Sequence, residues 1–206
     1  MLTDLTVREY AARLAAGEPT PGGGSGAALV GVLGVALGEM AANFTRGKDN
    51  WEQVEAPLAR LEEHRLALLA LTDADAEAYA PVGAAYALPR GTDEEKAVRR
   101  GAIQEALKQA AQVPLRAVGR IADAIGELPT LAEYANKNLL SDVGVAAAFT
   151  LAALKTAWLN VEINLASIKD EEYVQDIRCG WQERLAAAEK TAAAVWEQVS
   201  AAIDGA

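Results

Sequence analysis

Apolar residues recur along almost the whole chain at steps of three and four, and no stretch alternates apolar and polar residues with a period of two. That pattern predicts helices throughout and no sheet. Thr6-Val7-Arg8-Glu9 has the spacing of a capping box and Gly17 offers a stop, so a first helix is predicted over about 6–16. A second, over about 25–45, follows the loop Pro19-Thr20-Pro21-Gly22-Gly23-Gly24-Ser25-Gly26, with Ser25 placed as its N-cap. A long tract runs from Asn50 to about residue 80, with Pro57 in its first turn or at a kink. Leu61, Leu68, Thr72, Asp75 and Tyr79 share one of its faces.

A short helix can follow Pro81, and Leu88-Pro89-Arg90-Gly91 reads as a loop. Thr92-Asp93-Glu94-Glu95 is a second capping box, predicting a helix to about 111. Pro114 is expected to open another helix to about 126, Pro129 a short element, and Tyr134–Leu140 a loop. Ser141-Asp142 is expected to cap a helix to about Ser167 that is apolar almost all round and therefore central. A last helix, over about 170–203, is charged on one side and carries Trp181 and Trp196, as a peripheral layer would. The fold expected is an all-α single domain over 1–206, a helical bundle with two central helices rich in glycine and alanine.

Composition sharpens this picture. With 206 residues the chain can bury a real core, and a 51% hydrophobic content with only 5% aromatics favours helix. A formal net charge of −10 argues against a general nucleic-acid binder and against binding to an acidic membrane surface. The single cysteine, Cys179, excludes an intramolecular disulfide and fits a reducing compartment, so a cytoplasmic location is expected. The N-terminus lacks a signal-peptide pattern. One histidine and one cysteine are too few for a nitrogen/sulfur zinc site, and no metal ligand is assigned. His64 is expected at the surface and Cys179 as a half-buried small hydrophobe. The charge-free run Gly26–Gly38 covers 13 residues before Glu39, short of the roughly 20 that span a bilayer, and reads as a core helix.

Candidate chemistry concentrates in three places. The Gly22–Gly24 loop feeding a helix start offers free backbone N–H groups and the positive end of the helix dipole, a receptor for a carboxylate, a phosphate or a polarised carbonyl. Neither a Walker pattern nor a dinucleotide fingerprint fits it, and a tight capped turn explains it equally well. Gly31, Gly34 and Gly38 form a smooth face on the helix that follows, each costing up to about 1 kcal/mol relative to alanine. A helix backbone crossing very closely, from the same chain or across a dimer axis, would account for them. Asp75, on an otherwise apolar face, has the setting that raises a carboxyl pKa toward general acid/base use, while an exposed acid late in a helix is the alternative. Asp73 points elsewhere and is expected to be solvated. The third place is Asn136-Lys137-Asn138-Leu139-Leu140-Ser141-Asp142, with Asn160, Asn164, Thr156 and Ser167 forming a polar stripe along the following helix. A neighbouring helix or a polar heterocyclic ligand would satisfy that stripe.

These motifs together resemble the cyclodeaminase/cyclohydrolase family of folate one-carbon enzymes. The resemblance rests on Pro19-Thr20-Pro21-Gly22-Gly23-Gly24-Ser25, on Asp75-Ala76-Glu77-Ala78-Tyr79 followed by Leu88-Pro89-Arg90, on Asn136 to Ala147, and on Leu159-Asn160-Val161-Glu162-Ile163-Asn164-Leu165. It covers nearly the whole chain. It departs from the family at Tyr79, where phenylalanine is usual, and at Arg90, where lysine is usual. The resemblance implies a compact helical homodimer with a small-molecule tetrahydrofolate substrate, no metal or redox cofactor beyond that substrate, and no nucleic-acid or membrane partner. It implies a cyclodeaminase that converts 5-formiminotetrahydrofolate to 5,10-methenyltetrahydrofolate and ammonia, or else a methenyltetrahydrofolate cyclohydrolase. Asp75 would be the catalytic acid/base. Gly22, Gly23, Gly24, Ser25, Asn138, Ser141, Asp142, Asn160 and Asn164 would bind the substrate, and Lys137 or Arg90 would meet its glutamate tail. A non-enzymatic helical interaction protein, packing a dimer through the glycine face and the asparagine stripe, is the competing class.

Overall fold

The computed structural model describes residues 1–205, and every regular element in that range is helical. Seven α-helices follow in chain order: α1 (Val7–Leu14), α2 (Gly23–Asn43), α3 (Trp51–Ala78), α4 (Ala80–Tyr86), α5 (Asp93–Tyr134), α6 (Leu140–Leu165) and α7 (Glu171–Asp204). Short 3-10 turns cover Leu2–Asp4 and Lys137–Leu139. Both predicted capping boxes form, Thr6 with Glu9 and Thr92 with Glu95.

The core is built around α2, which lies between α3 and α6. Its glycines explain how the helices come so close. A Cβ on Gly34 would fall 2.8 Å from Thr150 Cγ2 and 3.0 Å from the Thr150 backbone nitrogen, so α6 crosses there almost backbone to backbone. Gly31 faces Ile121 and Leu68, and Gly38 faces Leu131 and Leu61. The close partner is therefore within the chain. Leu61, Leu68, Ile121, Ile125, Leu128, Leu131 and Leu154 are fully enclosed around this helix. α7 lies against α5 and α6 as the outer layer, as its one-sided charge predicts.

Several expectations are corrected. Residues 93–134 form one helix of 42 residues, about 63 Å long at 1.5 Å per residue, with Pro114 and Pro129 inside it. Each proline removes one backbone donor. Packing against α3, α6 and α7 keeps the helix continuous where local preference would break it. Asn136 to Leu140 is a 3-10 turn running into α6, and α6 starts at Leu140 without a side-chain cap, so Ser141 and Asp142 lie inside its first turn. Ser25 is not an N-cap: Gly22 is, and Ser25 lies fully buried in the first turn of α2. His64 is buried, with Nδ1 unpartnered, because it faces α5. Cys179 is exposed. Asp73 is not solvated: it accepts hydrogen bonds from Leu2 N–H (2.5 Å), Thr3 N–H (3.1 Å) and the Thr3 hydroxyl (2.6 Å), and so pins the N-terminal turn to α3.

Two segments, Gly23–Asn43 and Lys137–Leu165, are long and apolar enough to cross a membrane by length and composition. The charge-free run Gly26–Gly38 is only the central part of the first of these. α2 and α6 run antiparallel: Gly23 meets Asn160, and Phe44 and Thr45 meet Asn136. They share an open face carrying Leu33, Phe44, Val145, Phe149, Leu159 and Ile163, with Leu159 and Ile163 about two-thirds exposed (67% and 68%).

Candidate active site

Where α2 begins, α3 ends and α6 ends, the helices leave a cavity of about 200 Å³. Its lining brings together Gly22, Gly23, Gly24, Asp75, Asn160 and Asn164, six of the candidates singled out in the sequence. Pro19, Thr20, Ala78, Tyr79 and Ala110 complete the wall. Of these, Tyr79 is placed on the Asp75 face by its helical spacing and departs from the family pattern. Ala110 carries no chemical signal in the sequence, and only the packing of α5 against α3 brings it here.

The glycines matter first as absent side chains. A Cβ on Gly24 would fall 2.6 Å from Asp75 Cγ and 2.7 Å from Oδ2, closer than real contacts allow. Gly24 is thus the space that Asp75 occupies. Gly23 faces Asn160 at ordinary contact distance, with Oδ1 3.4 Å from its would-be Cβ. Because the N-cap is a glycine, α2 has no side-chain cap of its own. Its first turn presents free N–H groups, and the Asp75 carboxylate approaches it from another helix.

Electrostatically, Asp75 is held between two influences. Burial raises its pKa above the ordinary carboxylate value, and the Ser25 N–H draws it the other way with less effect. No cation counters the burial among the residues that line the cavity. Asn160 donates Nδ2 to Thr156 O (2.8 Å), and Asn164 donates Nδ2 to Asn160 O (2.7 Å), so both amides are turned by their own helix. Their Oδ1 acceptors have no intramolecular donor among the described residues. The cavity therefore offers one proton carrier, an edge of main-chain donors, and two amide acceptors. Ser25 lies behind the wall, its hydroxyl 2.9 Å from the Tyr10 hydroxyl.

The remaining candidates lie elsewhere. Asp142 and Asn160 are 18 residues apart on one helix, about 27 Å along its axis. Asn138, Ser141, Asp142 and Lys137 thus stand at the opposite end of the α2–α6 pair, where Asn138 N–H donates to Asn136 Oδ1 and Lys137 Nζ reaches Glu133 O at 3.4 Å. One helical face joins the two groups, as the spacing implies, but one cavity within the chain does not. Arg90 is exposed on the loop after α4 and does not line the cavity.

Larger openings of about 420 and 510 Å³ lie along α6–α7 and along α3, α5 and α7. Arg178 is paired there with Glu162, and Arg184 with Asp123. Among the described residues, no three His, Cys, Asp or Glu side chains converge as a metal site would require.

Residues 6–183 match the family model described as formiminotransferase-cyclodeaminase. A methenyltetrahydrofolate cyclohydrolase of Methylorubrum extorquens is 40% identical over 175 residues, covering 83% of this chain and 84% of that protein. The formimidoyltransferase-cyclodeaminase of Rattus norvegicus is 35% identical over 181 residues, and the match covers 86% of this chain but 34% of that protein. The chain spans about a third of the length of that bifunctional relative. A crystal structure of formiminotetrahydrofolate cyclodeaminase from Thermotoga maritima superposes with a TM-score of 0.79 at 36% identity, over 100% of this chain and 98% of that one.

Proposed function

The chain belongs to the formiminotransferase-cyclodeaminase family, and we propose that its cavity opens or closes the one-carbon bridge between N5 and N10 of a tetrahydrofolate derivative, with Asp75 carrying the proton. The observation behind this reading is that Asp75 is the only carboxylate among the described residues of the cavity wall and is pushed up by burial beside a bare helix N-terminus. A group of that kind holds and yields a proton nearer neutral pH than an exposed aspartate does.

The reaction we assign first is hydrolysis of the 5,10-methenyl form to the 10-formyl form, the activity named for the stand-alone relative at 40% identity. Asp75 takes a proton from water as its oxygen attacks the methenyl carbon. It returns that proton to N5 as the carbon–N5 bond breaks, and the remaining hydroxyl proton leaves to solvent as the formyl C=O forms. The second reading is cyclodeamination of the 5-formimino form, favoured by the whole-chain likeness to the Thermotoga protein. There Asp75 takes a proton as N10 attacks and gives one to the departing ammonia. Main-chain N–H groups of Gly23 and Gly24 and the Oδ1 atoms of Asn160 and Asn164 would meet the polar edge of the pterin. No metal or redox group takes part in either scheme, so turnover should survive exhaustive chelation.

We assign a second copy of this chain as partner, seated on the uncharged α2–α6 face. A two-fold axis across two antiparallel helices exchanges their ends. The Lys137–Asp142 end of one copy would then approach the cavity of the other, reuniting the two groups of candidates. The double variant Leu159→Asp/Ile163→Asp should sediment as a monomer and lose turnover. A variant that remains dimeric would place the interface elsewhere, and lipid-dependent sedimentation of the parent would assign the face to a membrane.

Two assays with the same protein decide the reaction. Loss of the methenyl chromophore in buffer supports the first reading. Its appearance from 5-formiminotetrahydrofolate, with stoichiometric ammonia, supports the second. Neither signal above the uncatalysed rate would remove both.

A further inference from the structure

The N-terminal segment lies outside the machinery described so far, yet it touches the site twice. Of the eight residues of α1, only Tyr10 is buried. Val7, on the same stripe, is 89% exposed, so apolar contact holds α1 mainly through the Tyr10 ring and a touch of Leu14 on Gly26. Its polar anchor is the Tyr10 hydroxyl, 2.9 Å from Ser25 Oγ inside the protein. Ser25 is the third residue of α2, and its backbone N–H acts on Asp75. Downstream of α1, Pro19 and Thr20 form part of the cavity wall, across a loop that includes the cis Thr20–Pro21 peptide. Upstream, the first turn is tied to α3 through Asp73, two residues from Asp75.

We propose that Tyr10 is a positioning residue: its buried hydrogen bond to Ser25 fixes the first turn of α2 against Asp75 and holds the 15–21 segment as a wall of the cavity. The inference rests on the reading of Asp75 as proton carrier. The physical reason is local. Gly22, Gly23 and Gly24 give the start of α2 no side chains with which to hold itself. Ser25 is the first residue of the turn with a polar side chain, and Tyr10 is the partner that pins it. A loose turn would let the N–H groups wander from the carboxylate, and small displacements at a reacting centre are expensive in rate.

The test is Tyr10→Phe, which keeps the ring and its packing and removes the hydroxyl alone. The expected result is a fall in kcat of about 5–10-fold, the size of one buried hydrogen bond, with KM changed less than twofold. The Asp75 carboxyl carbon, followed by NMR titration without substrate, should shift its midpoint upward as the Ser25 N–H loosens. Limited proteolysis at residues 15–21 should quicken. Ser25→Ala should reproduce these changes, and the double variant should add little to either single change. An unchanged Asp75 titration together with unchanged kcat in a folded Tyr10→Phe protein overturns the proposal. A shifted titration in a protein inactive in both folate assays would sink the reading of Asp75 while leaving the Tyr10 anchor standing.

Discussion

Asp73 and Asp75 are two residues apart on the same helix, and the fold treats them in opposite ways. Burial works against the Asp73 carboxylate, but the Thr3 hydroxyl and the N–H groups of Thr3 and Leu2 outweigh it and hold its pKa below the ordinary value. Asp75 meets burial with only the Ser25 N–H to offset it, and its pKa goes up. One carboxylate is satisfied and serves as a clamp. The other is left short of partners beside open main-chain donors. The difference teaches that the residue type says little and the donor supply says nearly everything.

That contrast can be broken by mutation. The largest effect is expected for Asp75→Asn, which should reduce kcat by about 10²–10⁴-fold, the range for loss of a general acid/base. Its thermal stability should be unchanged or slightly higher at neutral pH. A carboxyl whose folded pKa is raised contributes stability below its unfolded pKa and loses it as pH rises through the folded value, so removing the charge costs the fold nothing near pH 7. Gly24→Ala should follow, with a loss of about 10²-fold in kcat and a folded protein, since the added methyl must displace the carboxylate. Full activity in Gly24→Ala would show that the close approach is incidental.

Asp73→Asn should have the reverse profile. Activity per folded molecule should be retained, while stability falls by about 1–2 kcal/mol in denaturant melts. The stability contributed by Asp73 is present above its unfolded pKa and lost as pH falls through its depressed folded value, so the variant should lack that acid limb. The smallest effect concerns His64. Burial lowers its pKa, with Asp123 acting against the shift and Arg120 with it. The unfolded chain then binds the proton more readily, so stability should rise with pH from the folded pKa up to about 6.5 and level off above. His64→Leu should flatten that rise, which pH-dependent melts can detect.

Much of the architecture was legible in the sequence because it is locally encoded. Both capping boxes formed where the spacing put them, and the glycine face of α2 turned out to be a crossing point for α6. The proline breaks in α5 failed because they weigh local preference without the three helices that brace it. Ser25 was misread for a related reason: a serine before an apolar run looks like a cap, but the helix starts two residues earlier on glycines that lack side chains. Asp75 could be singled out by periodicity, whereas the partners of Asp73 lie about 70 residues away and leave no trace in its surroundings. His64 carried no sign of burial because it sits between Glu63 and Arg65. The face shared by Asp142 and Asn160 was readable from the repeat. The distance between them required the length of the helix to be taken as literally as its period.

The central claim is tested most directly by following the Asp75 carboxyl carbon through a pH titration and comparing it with the pH dependence of kcat/KM in the same protein. The account predicts that Asp75 titrates above the ordinary aspartate value while Asp73 titrates below it, and that kcat/KM rises with pH through the Asp75 midpoint. An Asp75 that titrates with Asp73, or a rate that ignores its midpoint, would contradict it.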